Sequence, residues 1–272
     1  MATRVFDFVG EYVQANPCFY MQELQDELQK TFSHMTNFSL PTICRALRYD
    51  LKLSRKILEK RARESLPEQV LEYFNKLQEV YSYPEQLVFI DETSKDGRDA
   101  LRRHGWSRIN QPAVVQQPFQ RGCRVSAVAA FDTSGFFAWK CTDGTFTRQK
   151  FHDAFLQVIC PHLQPWPMPR SIVILDNAKI HMYHELAQVI HRSGAILIFL
   201  PPYSPQLNPI EQGFALLKLF LQKNCDLTFR ICPEDVLKVA MPACTKLWDN
   251  GRPFFRSCGY DDKGLDKTVF GI

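Results

Sequence analysis

Ser171-Ile172-Val173-Ile174-Leu175-Asp176 and Ala195-Ile196-Leu197-Ile198-Phe199-Leu200 are two short apolar runs separated by an amphipathic stretch at 181–192. Both are rich in Ile, Val and Leu and too short for a helix, the pattern of strands buried on both faces. The stretch between them reads as a helix that Ser193-Gly194 stops. Outward from this unit the grammar continues. Leu87-Val88-Phe89-Ile90 is a third buried run, and residues 123–131 and 136–141 flank Asp132-Thr133-Ser134-Gly135, a hairpin turn. Residues 147–163 read as a helix with Phe151, Phe155 and Ile159 at spacing four, and 210–223 and 233–248 as two more. The Pro-rich stretches 160–170 and 200–209 are loops that proline holds rigid. This order gives the α/β class: a mixed sheet with helices on both faces.

Residues 1–63 differ in kind and read as a small all-α segment. Phe6, Val9 and Val13 recur at helical spacing, and a second helix after Asn16-Pro17 carries Leu24 and Leu28. A third starts at Leu40-Pro41 with Ser39 as N-cap and aligns Ile43, Leu47 and Leu51. Three short helices with a basic third one suit a helix-turn-helix, or a generic three-helix packing unit. A basic linker follows, and Pro67 opens an amphipathic helix carrying Val70, Leu71, Phe74, Leu77 and Val80, which Pro84 ends. The expected domains are therefore 1–63, the helical segment and linker, and 64–272, the sheet domain.

Composition narrows the classes. At 272 residues with nine scattered cysteines and no C-x-x-C pair, the chain suits reduced buried thiols rather than a zinc site. No apolar run approaches the roughly 20 residues that span a bilayer, and the first residues lack a signal-peptide core. The formal net charge of +4 says little, but its distribution says more. Arg45, Arg48, Lys52, Arg55, Lys56, Lys60, Arg61 and Arg63 stand against Asp50 and Glu59 alone. Such a stretch is either a solvated face or a phosphate-contacting surface. A second basic stretch, 95–124, contains Lys95, Arg98, Arg102, Arg103, Arg108, Arg121 and Arg124. Trp106 within it is expected as a small-core aromatic, with stacking on a base as the other reading.

Three acids stand at element junctions. Asp91 follows the run 87–90, Asp176 follows 171–175, and Glu211 opens the amphipathic stretch after Asn208-Pro209-Ile210. Each alone could cap a turn or favour a helix dipole. Together, carboxylates from rigid strand ends can hold two divalent ions and clamp a phosphodiester for in-line attack. The ends of strands are where open α/β sheets place their sites.

The flanking residues sharpen this. Phe89-Ile90-Asp91-Glu92-Thr93-Ser94, Ile174-Leu175-Asp176-Asn177-Ala178-Lys179-Ile180-His181 and Leu200-Pro201-Pro202-Tyr203-Ser204-Pro205-Gln206-Leu207-Asn208-Pro209-Ile210-Glu211 resemble the three catalytic blocks of mariner-type DDE transposases. The 34 residues between Asp176 and Glu211 match the spacing of one branch of that superfamily. Residues 18–64 are similar to its second helix-turn-helix and linker, and 254–260 to a tail of some eukaryotic members. The resemblance implies a ribonuclease-H-like five-stranded mixed sheet and metal-dependent DNA cleavage with strand transfer. It implies Asp91, Asp176 and Glu211 as ligands of two Mg²⁺ ions, with Mn²⁺ in their place. Asn177 and His181 also match, as residues that support the ligands. His181 orients a phosphate or a carboxylate, or makes a structural bond at a helix start. Glu92 matches too, but an extended strand puts it opposite Asp91, outside the triad.

The implied partner is double-stranded DNA, at transposon ends and target, bound by a homodimer with no membrane involved. Arg45, Arg48, Lys52, Arg55, Lys56, Arg102 and Arg103 are the expected DNA contacts. The implied location is the nucleus of a eukaryotic host, or otherwise the cytoplasm. Family members usually carry two helix-turn-helix units, and one fits before residue 64. A second expectation is therefore a truncated or domesticated transposase-derived DNA-binding protein without transposition activity. An unrelated ribonuclease-H-like nuclease would fit the fold but not the block at 200–211.

Overall fold

The computed structural model describes residues 3–33, 38–56, 66–96, 99, 101, 106–114, 124–225, 228–246 and 251–270. The chain forms two compact units, Met1–Lys60 and Arg61–Ile272. The basic residues Lys60, Arg61, Arg63, Arg98, Arg102, Arg103 and Arg121 lie outside the described residues.

The first unit contains α1 (Thr3–Ala15), α2 (Met21–Thr31) and α3 (Leu40–Arg45), which continues as a π turn through Asp50. Val5 and Val9 of α1, Leu24 and Leu28 of α2, Phe38 and Ile43 form its core. The buried stripe of α1 is thus Val5–Val9; Phe6 is only half-buried because it lies one residue round the helix. Ser39 accepts a hydrogen bond from the Thr42 N–H at 3.4 Å, and Pro41 sits in the first turn. Leu47 and Leu51 pack against this core, while Arg45, Arg48, Lys52, Arg55 and Lys56 are exposed.

The second unit opens with α4 (Pro67–Gln78). Helix α4 ends there, and Pro84 starts a short 3-10 turn rather than ending the helix. Strands β1 (Leu87–Lys95), β2 (Val125–Asp132) and β3 (Gly135–Asp143) follow. After them come α5 (Arg148–Ala154), β4 (Ile172–Leu175), α6 (His184–Arg192), β5 (Ile196–Phe199) and α7 (Pro209–Asn224). The chain ends with α8 (Thr228–Ile231), α9 (Pro233–Lys246), α10 (Arg252–Ser257) and the pair β6 (Tyr260–Asp261) and β7 (Gly264–Leu265). The five long strands lie in the order β3-β2-β1-β4-β5. β2 runs antiparallel to both β1 and β3; β4 runs parallel to β1 and β5 parallel to β4. This is the ribonuclease-H-like mixed sheet.

Strand alternation divides the core in two. Leu87 and Phe89 face Phe74 and Leu77 of α4, Leu217 and Leu221 of α7, and Leu237 and Met241 of α9. Val88 and Ile90 face Phe151, Phe155 and Ile159 on the other side, with Leu186 and Ile190 of α6. Each such side chain contributes about 1.5–3 kcal/mol by leaving water. In the hairpin turn, Asp132 Oδ1 accepts the Ser134 N–H at 2.8 Å, and Gly135 takes a φ of +111° that a side chain would oppose.

Further boundaries differ from the sequence expectation. β1 runs five residues beyond Ile90 because β2 goes on pairing with it to Lys95. Residues 148–162 are not a uniform helix: α5 gives way to a π turn at 155–159 and a 3-10 turn at 160–162 that contains Pro161. α6 starts at His184 rather than His181, because the backbone is still extended at Tyr183. No helix among the described residues is long and apolar enough to cross a membrane.

Candidate active site

The end of the sheet assembles the three acids. β4 pairs with β1 only as far as Phe89↔Ile174, so Asp91 lies just beyond their shared ladder. Asp176 is the first residue after β4, and Glu211 lies in the first turn of α7. All three line one cleft of about 440 Å³, walled by residues 200–205 together with Asn177, Ala178 and Asn208.

Each carboxylate is held differently. Asp91 Oδ1 accepts the Glu92 N–H at 2.7 Å, and Oδ2 accepts Asn208 Nδ2 at 2.9 Å. Asp176 Oδ1 accepts the Ala178 N–H at 3.0 Å and faces His181 Nδ1 at 2.6 Å. The other ring nitrogen, Nε2, lies 2.8 Å from Glu92 Oε1. Carboxylates accept only, so His181 satisfies both as an imidazolium. Burial would lower its pKa, but the bonds to Asp176 and Glu92 outweigh that and push it up to about 10. The ring is fully buried and packs 4.6 Å from that of Phe151. Glu211 has no side-chain hydrogen bond among the described residues.

The electrostatics are uneven. Burial, then the charges of Asp176, Glu211 and Glu92, push Asp91 up to about 8. Glu211 is raised by burial and by Asp176, with Lys95 opposing. Burial would raise Asp176 as well, but the His181 bond and the Ala178 N–H hold it below the usual range. One permanent anion thus shares a cleft with two carboxylates that repel it and each other. Among the described residues, no three His, Cys, Asp or Glu side chains are already gathered round one metal-sized point. The donor set is nonetheless all oxygen, which suits a hard divalent cation, and its excess negative charge is what such a cation relieves. Asn208 Oδ1, buried beside Asp91 with no partner among the described residues, is a further oxygen at the site.

The structure places the remaining candidates as follows. His181 serves a carboxylate rather than a helix start. Glu92 lies on the α5 side of β1, opposite Asp91 as alternation requires, yet it reaches the triad through His181. Asn177 Nδ2 donates to the Leu200 carbonyl, tying the end of β4 to that of β5 rather than touching a carboxylate. Lys95 is buried and faces Asp99, Lys218 and Glu211, so it is not free for DNA; burial lowers its pKa. Trp106 is fully exposed, which excludes the small-core role. Arg45, Arg48, Lys52, Arg55 and Lys56 belong to the first unit, and Arg102 and Arg103 lie outside the described residues.

Sequence reasoning missed the support behind Glu211. The Tyr260 hydroxyl donates to the Leu207 carbonyl at 2.8 Å and lies 2.9 Å from that of Tyr73. Gln212 Nε2 donates to Ser257 Oγ at 2.8 Å. The tail 254–260 therefore braces the turn that delivers Asn208 and Glu211; its dense aromatics were the available signal.

A family model described as DDE superfamily endonuclease matches residues 86–228, just over half of the chain. Among solved structures, the Mos1 mariner paired-end complex with Mn is similar at a TM-score of 0.66 and 15% identity. The match covers 97% of this chain and 77% of that one. A pre-cleavage Mos1 transpososome gives 0.64 and 15%, covering 93% and 74%. The Mos1 paired-end complex with the left transposon end gives 0.64 and 16%, covering 97% and 77%. At these identities the likeness establishes the fold. Comparison with the curated proteins gives no match.

Proposed function

The chain belongs to the DDE superfamily of endonucleases, and from that premise we propose that it is a mariner-type transposase. It cuts double-stranded DNA at the ends of a mobile element and joins those ends to a target. One observation carries the reading: Asp91, Asp176 and Glu211, drawn from three segments far apart in sequence, line a single cleft. The likeness to Mos1 paired-end complexes, one of them with Mn, supports a divalent metal, DNA as substrate and two chains acting on paired ends.

Asp91, Asp176 and Glu211 are the residues that would hold Mg²⁺ or Mn²⁺, as two ions per site. Bound there, the metal supplies Lewis-acid charge that activates the attacking oxygen and stabilises the leaving one. The chain's own residues do the rest. His181, clamped by Glu92, keeps Asp176 ionised and fixed in orientation. Asn208 fixes one oxygen of Asp91. Asp91, whose proton is held by burial and by its acidic neighbours, would have to release it to hold a cation, so affinity for the metal should rise with pH. The exposed basic residues of the first unit, Arg45, Arg48, Lys52, Arg55 and Lys56, engage phosphates.

The test is cleavage of a supercoiled plasmid carrying the inverted repeats that flank the gene, in Mg²⁺, Mn²⁺ or EDTA. Cleavage should require the metal and fall to background in Asp176→Asn. Cleavage in EDTA, or full activity in the variant, overturns the reading.

A further inference from the structure

Tyr203 is an exposed aromatic held in a backbone conformation that aromatic residues rarely take. Its φ is +54°, in the left-handed region that disfavours any side chain and is used mainly by glycine and asparagine. Its burial does not compensate, because 65% of the residue remains exposed. Its hydroxyl has no hydrogen-bond partner among the described residues.

The surrounding frame imposes this conformation. Pro201 and Pro202 fix the backbone before it, and Pro205 follows closely. Ser204 is buried and its Oγ donates to the Pro202 carbonyl at 3.1 Å. Upstream, the Leu200 N–H is anchored to the Leu175 carbonyl at 2.8 Å. The fold thus maintains a strained position to present a ring that packs little of itself into the protein. That ring lines the same cleft as Asp91, Asp176 and Glu211. Strain kept at the lip of a reaction cleft points to a ligand contact. A flat apolar face at a DNA-cutting site matches a nucleobase, and such stacking tolerates any sequence.

We propose that Tyr203 positions the substrate by stacking on a nucleobase beside the scissile phosphate, setting the strand over the three carboxylates. The proposal rests on the reading of the chain as a DNA-cutting enzyme.

The test uses the full-length chain with Mn²⁺ and a duplex bearing the flanking inverted repeat, its cleavage point mapped with wild type. Tyr203→Gly removes the ring while relaxing the backbone; Tyr203→Phe keeps the ring and removes the hydroxyl. The proposal expects kcat/KM to fall about 10- to 100-fold in Tyr203→Gly, Mn²⁺ affinity without DNA to stay as in wild type, and Tyr203→Phe to recover most of the loss. Abasic sites scanned across the cleavage point should reveal one position where lesion and Tyr203→Gly are non-additive. Additivity at every position, an unimpaired Tyr203→Gly, or equal losses in Phe and Gly variants would overturn it. A wild type that cleaves no DNA would instead overturn the enzymatic reading on which it rests.

Discussion

Asp91 and Asp176 share a cleft but bind protons with opposite strength. Asp91, pushed up to about 8, keeps a proton in the folded chain that it releases above about pH 4 once unfolded. Its contribution to stability is therefore full below about pH 4 and lost as the pH rises through about 8. Asp91→Asn removes this dependence. In EDTA, the Tm advantage of Asp91→Asn over wild type should grow between pH 5 and pH 9 by several degrees, up to about 4 kcal/mol. A difference that is flat with pH would contradict the burial of that charge. Asp176 depends on His181, which depends on Glu92. His181→Gln and Glu92→Gln should each weaken Mn²⁺ binding about 10- to 100-fold, read by calorimetry. Unchanged affinity in both would remove them from the site. Asp176 and His181 were legible in one sequence block. Their link to Glu92 was not, because it spans 89 residues and alternation alone argues against it.

At the level of elements, α7 determines where Glu211 stands. It approaches the sheet closely because Gly213 has no side chain. A Cβ there would meet Phe131 Cε2 at 2.9 Å and Phe136 Cζ at 3.0 Å. Both rings are buried, Phe131 stacked on Phe255 and Phe136 on Phe214, so neither yields freely. Gly213→Ala should destabilise the fold by about 1–3 kcal/mol. It should also lower cleavage, since Glu211 lies two residues upstream on the same helix. A thermal melt like that of wild type would count against the close packing. The strands β4 and β5 were legible because continuous apolar runs announce buried strands whatever they pair with. The polar half of β1 was not: Asp91-Glu92-Thr93-Ser94-Lys95 stays extended through its ladder with β2, whose paired residues, Ala129 to Val125, are distant in sequence. The bracing by α10 and β6 was equally hidden, because it depends on one hydroxyl reaching Leu207.

For the molecule as a whole, a net charge of +4 would suggest weak attraction to DNA. Five exposed basic residues, Arg45, Arg48, Lys52, Arg55 and Lys56, instead cluster within a short stretch of the first unit. Affinity should therefore follow local charge. In the full-length chain, substituting Arg45 and Arg48 with Ala should reduce the slope of log affinity against log salt by about 1 for each phosphate that is no longer neutralised. An unchanged slope would mean that these side chains touch no phosphate. The change from helical to strand period near residue 87 was legible in the sequence, because it needs only the local pattern of apolar residues. Whether Asp91, Asp176 and Glu211 jointly hold the metal is decided by anomalous scattering from crystals of the chain grown with Mn²⁺ and DNA. Two peaks about 4 Å apart, bounded by these three carboxylates, are expected. Peaks elsewhere with the cleft empty would contradict this assignment.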